Sequence, residues 1–135
     1  PISRMADRAM SDSGRITLED TEEETRIRLT LRFDRAWASV VKGTEDADFV
    51  IDDRDRSEGR LYVTFIGPQD EDDSGWFDWL WGGEDEHPLA GHQYQIHLDR
   101  AGDELTLITL RGPDGGAVDR RDQQALLTIL RGHMS

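Results

Sequence analysis

A chain of 135 residues, 36% hydrophobic and 33% charged, fits one domain large enough to bury about two-thirds of the surface its unfolded form exposes. Its formal charge of −13 excludes sequence-independent binding to DNA, RNA or an anionic membrane surface, each of which requires positive potential. The absence of Cys excludes disulfides, zinc–thiolate sites and thiol-attached lipid within this stretch, and no apolar run approaches the ~18 residues of a membrane-spanning helix.

Residues 1–24 hold few large apolar side chains and many charges, and the pattern predicts a linker or the end of a preceding segment, poorly ordered. A short helix over 3–10 and a stray strand over 15–18 fit within it. The chain starts Pro1-Ile2 rather than with Met, which leaves room for a targeting segment upstream. From residue 26 Ile27, Leu29 and Leu31 alternate with Arg26, Arg28, Thr30 and Arg32, the period of a strand with one face in a core. Asp34 stands where an N-cap belongs, with Phe33 before it able to staple onto the first turn. Trp37, Val40, Val41 and Thr44 follow at helical spacing; Gly43 weakens that helix by about 1 kcal/mol relative to Ala, and its end is expected near Glu45.

Residues 49–66, FVIDDRDRSEGRLYVTFI, read as two antiparallel strands joined by a charged connection. Gly59 closes that connection, and Leu61, Val63 and Phe65 form the buried face of its second strand. Its interleaved acids and arginines predict a solvated, self-compensating face. Residues 67–91 form a polar, glycine-containing insertion loop with an aromatic knot at its centre. A further strand over 92–98 buries Tyr94, Ile96 and Leu98, a turn over 99–103 reverses the chain, and a last strand runs over 104–110. Asp119 and Asp122 resemble a cap for a closing helix whose apolar face is Ala125, Leu126, Leu127, Ile129 and Leu130, with Gly132 as its stop. The predicted order is β-α-β-β-β-β-α: an α+β fold in which a curved antiparallel sheet of about five strands, polar on its outer face, packs on the C-terminal helix and a second, shorter helix. The globular part is 25–135.

LTLRFDRAWASVVK (29–42) followed by VIDDRDRSEGRLYVTF (50–65) resembles the BamC (NlpB) outer-membrane lipoprotein family, in which a strand feeds an F-x-x-A-W helix and then a D-R-D-R-S-x-G hairpin. SGWFDWLWGG (74–83), YQIHL (94–98) and LTLITLRGPDG (105–115) continue the likeness over about 26–132; DDRDRS is its specific part. The poor helix at Gly43 to Asp46 and the acidic loop depart from the family pattern. The resemblance implies the C-terminal helix-grip domain of an accessory lipoprotein of the outer-membrane β-barrel assembly (BAM) machinery. It implies no catalytic residues, no cofactor, other machinery subunits as partners, and an outer-membrane location through a lipid anchor outside this chain.

Trp76, Phe77, Trp79 and Trp81 are the first candidates for partner binding, because Trp dominates binding energy at interfaces and three within six residues are hard to bury on a loop. A lid over the sheet is the structural alternative for the same residues. Arg54, Arg56 and Tyr62 of the hairpin are secondary candidates. Asp70, Asp72, Ser74, Gly75 and Asp78 match a calcium loop, but Trp81 replaces the bidentate Glu that decides affinity. His87, His92, His97 and His133 lack metal-ligand spacing, and no nucleophile elbow or phosphate loop is present. The functional expectation is a non-catalytic protein-binding domain without metal. The alternative is a helix-grip module holding a small apolar ligand between sheet and helix, a space that Trp37, Phe65, Tyr94 and Leu126 would tend to fill.

Overall fold

The computed structural model describes residues 15–67 and 91–134. Six strands form one antiparallel sheet: β1 (Ile16–Asp20), β2 (Thr25–Leu29), β3 (Phe49–Asp55), β4 (Arg60–Phe65), β5 (Gln93–Gly102) and β6 (Leu105–Arg111). Helix α1 (Phe33–Asp46) follows β2, and α2 (Arg120–Gly132) follows β6. The order across the sheet is β1-β2-β6-β5-β4-β3, so α1 carries the chain from β2 to the far edge and a meander returns β6 to β2.

The period-2 pattern determines which residues face the helices. Ile27 pairs with Ile108, which in turn pairs with Leu98; Leu61 pairs with Ile96, and Phe49 with Phe65, their rings 5.2 Å apart. Cross-strand partners share a face, so these rows make one continuous apolar surface. Helix α2 covers it over β1, β2 and β6, and α1 covers it over β3, β5 and β6. Leu126, Ile129 and Leu130 are at most 1% exposed, which places the last helix against the sheet as the alternation requires.

Several boundaries differ from the expected ones. The stretch 15–18 is not stray: β1 runs Ile16–Asp20, pairs along its length with β2, and adds a sixth strand inside the segment expected to be a linker. Its apolar residues are too few to signal burial, and pairing supplies the order instead. β3 extends to Asp55, taking half of the charged connection into the ladder through a bulge between Ile51 and Asp53. β5 likewise runs to Gly102, into the turn expected over 99–103, with a second bulge between Arg100 and Gly102.

Asp34 does not cap α1. The N-cap is Arg32, whose carbonyl accepts from Ala36 N at 2.8 Å, and Asp34 stands inside the first turn, where a carboxylate favours the positive end of the helix. Phe33 stacks on Trp37 one turn later, the rings 6.2 Å apart. Gly43 lies where the end of the chain crosses α1: an added Cβ would stand 2.7 Å from Met134 Cγ. Asp119 is the N-cap of α2 but makes no side-chain cap. Gln123, nearly fully buried, ties that helix down instead: its Oε1 accepts from Thr25 N at 2.8 Å and its Nε2 donates to Val118 O at 2.7 Å.

Candidate protein-binding surface

The hairpin of β3 and β4 turns at 56–59, where Asp55 Oδ1 accepts from Ser57 Oγ and from Glu58 N, and Gly59 N donates to Arg56 O at 3.1 Å. Arg54 Nη2 reaches Glu45 at 2.7 Å and Arg56 Nη2 reaches Asp34 at 3.2 Å. Both arginines thus compensate acids of α1 rather than the aspartates of their own run. All four side chains are half or more exposed, so each pair is worth well under about 1 kcal/mol and orients the hairpin more than it stabilises it. Beside them Arg100 sits 4.6 Å from the centroid of the Phe33 ring, a cation–π contact. Phe33, Arg56, Gly59 and Arg100 line a shallow surface pocket there.

Tyr62 lies elsewhere. Arg54 stands opposite Leu61, on the helix side of the sheet, whereas Tyr62 stands opposite Asp53, on the outer face. The three hairpin candidates therefore do not gather into one patch. Trp76, Phe77, Trp79 and Trp81, the calcium-like run and the whole aromatic knot lie outside the described residues.

The outer face carries a row in which Arg60 pairs with His97, His97 with Thr109, and Thr109 with Arg26. His97 Nε2 is 2.9 Å from Gln95 Oε1, and Gln95 Nε2 donates to Pro113 O at 2.9 Å. Burial, with Arg60 and Arg111 nearby, holds the His97 pKa below its ordinary 6.5. Among the described residues Thr109 Oγ1, which is buried, has no hydrogen-bond partner. Across the hairpin of β1 and β2, the Thr25 hydroxyl donates to Asp20, which with Gln124 lowers the pKa of that carboxyl.

Between sheet and helices, Phe65, Ile96, Ile108, Leu110, Leu126, Leu127, Ile129 and Leu130 are all below 2% exposed or at it. Tyr94 is buried as well, with its phenol pushed up to about 12 by desolvation, while Trp37 is only half-buried. Those side chains occupy the space an apolar ligand would need. Among the described residues no group of three or more His, Cys, Asp or Glu side chains is gathered as a metal site. Sequence reasoning missed Phe33 and Arg100 as surface partners; they come from α1 and β5, and no spacing signal links them.

A family model described as the outer membrane protein assembly factor BamC-like C-terminal domain matches residues 14–134. The chain is 32% identical over 102 residues to an outer membrane protein assembly factor BamC of Thiobacillus denitrificans, covering 73% of this chain and 28% of that protein. Proteins of the same name from Ferrimonas balearica and Pseudoalteromonas atlantica are 34% and 28% identical, over 67% and 68% of this chain and 23% and 24% of their own lengths. The chain thus spans about a quarter of the length of these curated relatives. With the family match running through both helices and all six strands, this chain belongs to the family of BamC-like C-terminal domains.

Proposed function

We propose that this chain is a protein-binding domain of an outer-membrane protein assembly factor, acting by contact with other subunits of the β-barrel assembly machinery rather than by catalysis. The family match over 14–134 carries the reading. It operates at the outer membrane, held there by a lipid anchor outside this sequence. Its contact surface is the loop bearing Trp76, Phe77, Trp79 and Trp81, with Arg54, Arg56 and Tyr62 of the hairpin as secondary contributors. The filled interior supports recognition at the surface over an apolar ligand held inside.

A pull-down from detergent extracts of envelope membranes tests this reading, using the wild-type chain and a Trp76/Trp79/Trp81→Ala variant, with barrel-assembly subunits identified by mass spectrometry. The wild type is expected to recover those subunits and the variant to lose most of that recovery. Equal recovery by both would remove the Trp loop from the interface. Recovery of none by the wild type would remove the subunit-binding role from this domain.

A further inference from the structure

The two sides of α1 carry opposite charge. Asp34 and Glu45 lie toward the hairpin and are taken up by Arg56 and Arg54. Arg35 and Lys42, two helical turns or about 10 Å apart, lie on another face, which lines a groove. Arg15 just before β1 and Arg131 at the end of α2 complete its rim, and Ile16, Leu31 and Met134 contribute apolar surface. Among the described residues no acidic side chain lines this groove, although the chain as a whole carries −13. Among the described residues no carboxylate lies within 4.0 Å of Arg15, Arg35 or Lys42. Arg131 is held in place by donating from Nε to Ile16 O at 3.1 Å.

We propose that the groove between α1 and the end of α2 docks an acidic amphipathic segment of a partner protein, its apolar residues against Ile16, Leu31 and Met134 and its carboxylates against the four cations. Charge complementarity selects the occupant: in a chain so acidic, cations with no carboxylate partner among the described residues, concentrated around one apolar groove, attract carboxylates and repel basic segments. A peptide fits better than an anionic lipid surface, because the remainder of the −13 chain would be driven from such a surface. The proposal uses no residue of the Trp loop and requires no assumption about which complex the chain joins.

The test is fluorescence anisotropy with the full chain and a labelled helix-forming peptide of about five turns. The peptide carries Leu at i, i+3, i+4 and i+7 repeats with Glu between, and a twin carries Lys in place of Glu. The Glu peptide binds, more weakly as salt is raised, and the Lys twin does not. Arg35→Glu with Lys42→Glu, both exposed positions, weakens binding about tenfold with an unchanged circular dichroism spectrum. The milder Arg35→Gln/Lys42→Gln pair weakens it less and serves if the reversal perturbs the fold. The proposal is overturned if the Glu peptide does not bind, if both charge variants bind it as well as wild type, or if the chain binds phosphatidylglycerol-containing vesicles and not the peptide.

Discussion

Because the Gln95 amide nitrogen is committed to the Pro113 carbonyl, its oxygen is left to accept from His97, so the neutral ring carries its proton on Nε2. A second proton on that ring would be added in a half-buried site beside Arg60 and Arg111, which is why its pKa is lowered. The consequence for stability has a definite sign. Below pH 6.5 the unfolded chain takes up a proton at His97 that the folded chain resists. Folding free energy is therefore full above pH 6.5 and declines as the pH falls toward the lowered folded value. The Asp20 contribution has the same direction but a lower window, lost as the pH falls below 3.8 through its own depressed pKa. His97→Gln keeps a donor for Gln95 and removes the titrating ring. Urea midpoints measured from pH 6.5 down to about 5.5, above the main carboxylate range, should fall in the wild type and stay flatter in the variant. Parallel slopes would show that His97 is not the group responsible.

The hairpin of β3 and β4 depends on a turn that only glycine can complete. Gly59 has φ +71°, and an added Cβ would lie 2.3 Å from the backbone oxygen of Leu98 on the neighbouring strand. The two strands are tied together at this point, since Leu98 N donates to Gly59 O at 2.7 Å. Gly59→Ala thus combines a left-handed backbone penalty with a collision between two paired strands, on the order of 3 kcal/mol in urea unfolding. A loss below about 1 kcal/mol would mean that the turn relaxes to another conformation. The same hairpin holds the acids of α1 through Arg54 and Arg56, so its charged run is self-compensating only in company with the helix. That division of labour leaves Arg35 and Lys42 on the groove side of α1 with no carboxylate partner among the described residues.

At the level of the whole molecule, both helices and all but the outermost parts of the sheet share one apolar cluster. Leu126 is fully buried in it, on the helix that spans β2 and β6, the junction between the N-terminal hairpin and the meander. Leu126→Ala should cost roughly 2–5 kcal/mol, with near- and far-UV circular dichroism lost in a single coincident transition. A drop of less than about 1 kcal/mol, or two separated transitions, would show that the N-terminal hairpin and the meander fold independently. Gln123 strengthens that junction with a buried polar tie from α2 to β2, which an apolar stripe alone would not provide.

Local periodicity made the strands at Ile27, Leu61 and Ile96, both helices and the buried stripe of α2 readable from the chain, because a period of two or 3.6 depends only on near neighbours. The D-R-D-R-S-x-G hairpin and the F-x-x-A-W helix together were specific enough to mark the family. The sixth strand was readable only as a stray stretch over 15–18, since with Ile16 and Leu18 as its whole apolar face its place in the sheet depends on pairing with β2. Nor were the partners of the hairpin arginines, 9 and 22 residues away, or of Gln123, 98 residues from Thr25. Residue type and spacing determined the elements and their buried faces. Which charges neutralise one another, and which are left facing a groove, was decided only when the chain crossed from β2 to the far edge of the sheet, because ion pairing depends on distance in space rather than along the sequence.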